Sequence, residues 1–331
     1  MNSAGEATYP DGRALRQAVK AAAAVGGPPE MITERMQRFW FDRFLCRVFI
    51  RDEDAAWTLK GGMGLLARVQ DARSTQDIDF TVTGRDLSAA VAELARMASA
   101  DLGDHMVFEE RRAPTEVVGQ GKNVTGKRMY FVGRCGGHEV TRFHVDVVIA
   151  PAPIGDISVI RPQHRADLNR DLPVSDYRVF PVEDHLAEKV AAMLAHVRGD
   201  ENTRVKDLVD IVILSRTQSV DRRKLREALE VTFLRAGVTI PTEVTVPEKW
   251  RAMFPATAAG SLVDGISFDA ALEQARDYLT PVLAPNHGEH QAAQEQPRTA
   301  SDRWPPGGPL FQPKQPGAGS IGSDPPRGPQ Y

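Results

Sequence analysis

Apolar positions recur with a helical period in two N-terminal segments, residues 13–24 and 30–47. Pro28 and Pro29 lie between them, where a turn and a first helical position suit proline. WTLKGG reads as an element that ends at its glycines, and GLLARVQ as one short helix. DIDFTV then alternates polar and apolar, the period of a strand with one buried face. Residues 86–97 return to the helical period, with Leu87, Val91, Leu94 and Met97 as the apolar positions. Four strands are predicted next, over MVFEE, EVVGQ, RMYFVGRC and HEVTRFHVDVVIA, with glycines at the turns. From Pro181 the pattern is helical again, through PVEDHLAEKVAAMLAHVRG, TRVKDLVDIVILSR and a segment near 221–236. No internal repeat interrupts this order. The fold class predicted is α+β, with N-terminal helices and a mixed-sheet core over 1–155 and a mainly helical lobe over 156–284.

Beyond residue 284 the pattern stops. Residues 285–331 hold ten of the 23 prolines and little apolar periodicity, so the segment buries too little surface to offset its ordering entropy. It reads as a disordered tail, in which Trp304, Leu310 and Phe311 are the side chains able to dock on a partner. The 42% hydrophobic content of the 331-residue chain belongs to a globular class. A net charge of -3 argues against a protein given over wholly to nucleic-acid binding, without excluding a local basic patch. Cys46 and Cys135 stand far apart and fit no metal spacing, which suits reduced thiols. No apolar run approaches the ~20 residues of a membrane span, and no signal pattern opens the chain; a cytoplasmic protein is expected.

The candidate chemistry begins at Asp-Ile-Asp. In a strand, Asp77 and Asp79 share one face while Ile78 and Phe80 share the other. Two like charges on one strand face are unfavourable unless something cationic sits between them. A hard ion such as Mg²⁺ meets that demand: it takes carboxylate oxygens, keeps waters and is completed by substrate phosphates. FHVDVVIA puts a third acid, Asp146, among valines, where an unpaired carboxylate is costly. If its strand lies beside the first, the three acids converge and can hold two metal ions ~3.5–4 Å apart for in-line displacement at phosphorus. Asp146 would then activate the attacking hydroxyl and Asp79 would bridge the metals. Gly61 and Gly62, lacking Cβ, let backbone approach a ligand, and the helix that follows would aim free N–H groups at a phosphate. Met63 stands where a hydroxyl residue would often help, leaving only backbone donors there. Arg73 and Thr75, just upstream of the acids, are placed to contact phosphates or brace the loop.

Gly-Gly, an apolar helix, an acidic strand pair and a later acidic strand together resemble the DNA polymerase β-like nucleotidyltransferase superfamily. The string LKGGMGLLAR…RSTQDIDF is similar to one branch, the AbiEii/AbiGii toxin family with its mycobacterial MenT members. FHVDVVIA sits at the third-acid position, HLAEKVAAML matches the branch's Glu-Lys helix, and TRVKDLVDIVIL matches its Arg-x-Lys-Asp-hydrophobic-x-Asp stretch. The resemblance runs in order over residues 13–216; Met63 and the tail depart from it. It implies a polymerase β-like sheet lobe, a toxin of a toxin–antitoxin or phage-defence pair, an NTP substrate, transfer to the acceptor end of tRNA, and a separate antitoxin protein.

On the helix over 183–197, Leu186, Val190, Met193, Leu194 and Val197 form an apolar stripe, while His185, Lys189, Ala192 and His196 lie on a different face. A solvated lysine is the plain reading of Lys189; with the resemblance, it binds the NTP phosphates. Asp207 and Asp210, three apart on the next helix, face together and are placed to orient Lys189 or Arg204, to contact the nucleotide, or to form a structural ion pair. The resemblance places the family's functional aspartate in this stretch, at one of the two. His185 and His196 have no metal-ligand companions; His144, two residues from Asp146 on the same strand face, is an active-site neighbour or a packed edge residue, the second being the plainer reading. Arg111, Arg112, Lys122, Lys127, Arg128, Arg134 and Arg142 would suit an RNA backbone, although acids are interspersed among them. Two other functions stay open: nucleotidyl transfer to a small molecule such as an aminoglycoside or to a protein hydroxyl, and a degenerate module that only binds a partner.

Overall fold

The computed structural model describes residues 8–25, 29–51, 55–117, 125–163, 165–194 and 203–284. Two helices open the chain, α1 (Gly12–Ala24), capped by the Asp11 carboxylate, and α2 (Ile32–Phe49). The sheet then begins with β1 (Trp57–Lys60), α3 (Gly61–Arg68), β2 (Asp77–Val82) and α4 (Leu87–Ala98). A meander follows, of β3 (Met106–Glu116), β4 (Thr125–Cys135) and β5 (His138–Ile149). Two short strands, β6 (Ser158–Ile160) and β7 (Tyr177–Val179), lead into the helices α5 (Val182–Leu194), α6 (Val205–Thr217), α7 (Arg222–Ala236), α8 (Trp250–Ala258) and α9 (Phe268–Leu283).

The seven strands are ordered β3-β4-β5-β2-β1-β7-β6. β2 pairs parallel to β5 on one side and antiparallel to β1 on the other. One face of the sheet is apolar because the strands alternate: Ile78 and Phe80 on β2, Val145 and Val147 on β5, and Met129 and Phe131 on β4 are buried. Against this face α2 sets Phe44, whose ring lies 5.0–5.3 Å from those of Phe108, Phe131 and Phe143. The opposite face carries the polar positions of the same strands.

α2 also buries charge. Asp104 accepts from Arg43 at 2.7 Å and from Arg47 at 2.6 Å, and Asp42 accepts from Arg165 and the Tyr177 hydroxyl. A buried ion of this kind survives only when paired and hydrogen-bonded, as each is here.

Several boundaries differ from those the sequence predicts. α3 starts at Gly61, so the glycine pair forms the first turn of the helix and does not precede it. MVFEE is the start of an eleven-residue strand that runs on to Glu116, into the segment predicted as a separate strand over EVVGQ. Residues 118–124, with Lys122, and residues 195–202, with His196 and Val197, lie outside the described residues, as does the expected tail. β6 and β7, of three residues each, are too short to show an alternation, and they extend the sheet past residue 155. α8 and α9 were not predicted; Pro255 and Pro281 lie inside them and break the helical signal. The chain divides into two units, Met1–Pro285 and Asn286–Tyr331.

Candidate active site

The site is built on the polar face where β1, β2 and β5 meet. In the parallel pairing of β2 with β5, Asp77 lies opposite His144 and Asp79 opposite Asp146. On the other side Lys60, the last residue of β1, lies opposite Asp79. The three acids predicted from the sequence are therefore on two adjacent strands, in register, on one face.

The glycines are explained by the acids. A Cβ on Gly61 would stand 1.9 Å from Asp79 Oδ2, and Gly61 has a φ of +63°, in the left-handed region. A Cβ on Gly62 would stand 2.6 Å from Thr75 Oγ1. Thr75 in turn donates to Asp77 Oδ1 at 2.7 Å. The first turn of α3 thus lies against both the acid pair and the residue that braces it. Met63 is fully buried in the core, so its side chain faces away from any phosphate and only its backbone remains available.

These packings separate two effects of glycine. Gly61→Ala combines strained φ with a clash at Asp79, whereas Gly84, with φ +68°, has open space around it. Both alanine variants are expected to lose about 1 kcal/mol of stability from the backbone. Only Gly61→Ala is expected to lose transfer activity, by about a hundredfold, because it displaces the carboxylate. Thermal melts and rate measurements on the two variants check this; equal activity in both would refute it.

Charge explains the rest of the site. Asp79 is pushed up to about 7 by burial and by Asp77, with Lys60 opposing and Asp146 adding to the rise. Lys60 binds Glu188 of α5, at 3.0 and 3.2 Å. Burial lowers the Lys60 pKa, but Glu188 and then Asp79 raise it above the usual lysine value, so the cation persists between the acids and α5. Asp146 accepts two hydrogen bonds from Arg128, both 2.7 Å. His144 Nε2 stands 3.8 Å from Asp77 Oδ2, so the residue read as a packed edge histidine borders the acids.

A second cluster holds the helical residues to the site. Asp210, fully buried on α6, accepts from Lys189 Nζ at 2.5 Å and from Arg73 at 2.8 Å. Asp207 is farther from Lys189, at 3.5 Å, and 3.9 Å from Arg204. Burial favours the uncharged forms, yet the pairing wins: Asp210 is held below the usual carboxylate range by Lys189 and Arg73, and Lys189 above the usual lysine value by Asp210 and Asp207. His185, buried one turn before Lys189, is driven well below the usual imidazole value by burial and then by Lys189. Lys189 is thus neither a solvated lysine nor a free one. Lys60, Glu188 and the pairing of Arg128 with Asp146 were missed in the sequence; the only signal was that Lys60 abuts the glycine pair and Glu188 abuts Lys189.

The sequence profile of the AbiEii family, described as "Nucleotidyl transferase AbiEii toxin, Type IV TA system", matches residues 43–274. This span takes in both acidic strands and the helices that carry Lys189 and Asp210. The chain belongs to the AbiEii family. It is a nucleotidyltransferase toxin of a type IV toxin–antitoxin system. Among solved structures, the AbiEii chain is similar to MenT4, a nucleotidyltransferase toxin from Mycobacterium tuberculosis, with a TM-score of 0.57 at 17% identity over 84% of this chain and 92% of that one. This likeness establishes the shared fold. JHP933 from Helicobacter pylori aligns over 82% of this chain and 100% of its own, at 11% identity and a TM-score of 0.39. No curated protein matches the sequence.

AbiEii membership implies an NTP substrate and an antitoxin partner, and nucleotidyltransferases generally use a divalent metal. The donors fit one. Asp77 and Asp79 supply hard oxygens, and the pKa of Asp79, raised by burial and then by Asp77, is one that a bound cation would lower. Among the described residues no three His, Cys, Asp or Glu side chains gather closely enough to hold a metal by themselves. No helix among them is long and apolar enough to cross a membrane.

Proposed function

We propose that this toxin transfers a nucleoside monophosphate from an NTP to the acceptor end of tRNA, with Mg²⁺ as cofactor, and so blocks translation in the cytoplasm until a separate antitoxin protein restrains it. The observation that carries the reading is the in-register placement of Asp79 against Asp146, with the glycine turn packed on Asp79.

The placement supports the following residue roles. Asp77 and Asp79 hold the metal, with Thr75 fixing one oxygen of Asp77. A metal held there would neutralise charge on the phosphates and at the reacting oxygens. The backbone N–H groups of Gly61, Gly62 and Met63, in the first turn of α3, receive a phosphate group. Lys189 and Arg73, held by Asp210 beside the loop that leads into β2, supply positive charge to the triphosphate. Asp146, adjacent to Asp79 and oriented by Arg128, ligates metal or takes the proton of the attacking hydroxyl.

Metal binding has a consequence in the absence of substrate. Mg²⁺ relieves the repulsion among the acids, so millimolar Mg²⁺ is expected to raise Tm, and at 100 times its dissociation constant the gain is about 2.7 kcal/mol. The Asp77→Ala/Asp79→Ala protein is expected to lose that response. Scanning calorimetry with and without EDTA decides; an equal shift in both proteins would place the metal elsewhere.

The test of function is purified protein with total tRNA, Mg²⁺ and each of the four α-labelled NTPs separately, beside the same double variant. Label on tRNA with one NTP, absent from the control, is the expected result. Label in a small-molecule or protein fraction in place of tRNA would refute the tRNA reading.

A further inference from the structure

The polar face of the sheet does not end at the acids. Following the register outward from Asp77, the next positions are His144 on β5, Tyr130 on β4 and Arg112 on β3. Following it outward from Asp79, they are Asp146, Arg128 and Thr115. Two rows therefore run from the acids across three strands. The one that starts at Asp77 is aromatic and cationic. The Arg112 guanidinium carbon sits 3.6 Å from the Tyr130 ring centroid, and the Tyr130 and His144 rings are 6.5 Å apart. Thr115 holds the Tyr130 hydroxyl at 3.0 Å. Arg112 is exposed, and Tyr130 and His144 are half-buried, so the shelf opens to solvent while its neighbours Met129, Phe131 and Val145 fill the core.

We infer that Arg112, Tyr130 and His144 form a stacking shelf for the single-stranded 3′ end of the RNA acceptor, which Arg128 and the shelf's own arginine draw in by charge. The inference rests on the proposed transfer to RNA and assigns its acceptor subsite. Direction supports it. In an in-line displacement the attacking and leaving oxygens lie on opposite sides of the phosphorus. The glycine turn that would take the leaving phosphates follows β1, on one side of β2; the shelf lies on the other side, across β5, β4 and β3. Chemistry supports it too. Single-stranded ends are bound by aromatic rings and arginine planes against which bases stack, beside cations that follow the backbone. Arg112 over Tyr130 holds that surface in place while its own guanidinium plane stays open to solvent.

The experiment compares wild-type protein with Tyr130→Ala, Arg112→Ala and Tyr130→Phe. It measures binding of a labelled single-stranded RNA oligonucleotide, and KM for tRNA and for NTP separately. The alanine variants are expected to bind the oligonucleotide about tenfold more weakly and to raise KM for tRNA alike. KM for NTP should be unchanged, and Tyr130→Phe should behave as wild type. Unchanged RNA binding in both alanine variants overturns the shelf. So does a rise in KM for NTP with KM for tRNA constant, which would give these residues to the nucleotide. If wild-type protein transfers nothing to RNA yet loses oligonucleotide binding in the alanine variants, the transfer reading fails and the shelf stands.

Discussion

Asp79→Asn is expected to abolish nucleotidyl transfer, by about a thousandfold or more, while making the metal-free protein more stable. The loss of activity follows from its position: Asp79 lies between Lys60 on β1 and Asp146 on β5 and touches the glycine turn. The gain in stability follows from charge. Its pKa is raised from the ordinary carboxylate value to about 7, by burial first and then by Asp77. A carboxylate held neutral by the fold costs stability once it must ionise. That cost is absent below the unfolded pKa, grows as pH rises, and is full above about 7. Asparagine keeps the shape against Gly61 and removes the charge, and Lys60 keeps Glu188 as its partner. In EDTA the variant should therefore melt higher than wild type at pH 8, and the difference should shrink toward pH 4. A lower melting temperature at pH 8 would mean that Asp79 holds the fold together, and its role as a metal ligand would need another argument.

The sequence disclosed the acids, and the reason is physical. The strand period is strict, so Asp77 and Asp79 had to share a face, and Asp146 among valines had to have a partner. The helices over 12–24, 32–49 and 87–98 were legible from their stripes, and the AbiEii resemblance from the order of motifs. What the sequence could not disclose was which partners the charges choose. Arg128 reaches Asp146 because β4 pairs with β5, a fact of register across a hairpin. Lys60 reaches Glu188 and Arg73 reaches Asp210 across 128 and 137 residues of chain. Nor did periodicity distinguish α3 from the turn before it: glycine is a poor helix former, and only the close approach to Asp79 and Thr75 explains two of them in a first turn. The buried charges of α2 were likewise hidden, since the partners of Asp42, Arg43 and Arg47, namely Arg165, Tyr177 and Asp104, arrive from distant parts of the chain.

Asp210→Ala is expected to cost about 3–5 kcal/mol of stability and to remove transfer activity, whereas Asp207→Ala should cost about 1 kcal/mol. The two aspartates look equivalent in sequence, three apart on one helix face. They differ in what they hold. Asp210 is fully buried and is the shared acceptor of Lys189, on α5, and Arg73, in the loop before β2. Without it the partly buried Arg73 loses its acid and the buried Lys189 keeps only the more distant Asp207, at 3.5 Å. Asp207 stands 3.5 Å from Lys189, and its other neighbour, Arg204, is partly exposed to water. Of the two, we assign the functional role to Asp210. Its carboxyl is held below the usual range, so its contribution is present at neutral pH and is lost as pH falls through that depressed value. The wild-type and Asp210→Ala melting temperatures should therefore differ most near pH 7 and converge in acid. Arg73→Ala supplies the control for coupling. Combined with Asp210→Ala, it removes one of the two stranded cations, so the double variant should be more stable than the sum of the single losses predicts. Activity should not return, because Lys189 still lacks the acceptor that aims it. Strict additivity of the two losses would show that Asp210 serves Lys189 and Arg73 separately, and that the helical residues are not tied to the acid-bearing strand through it.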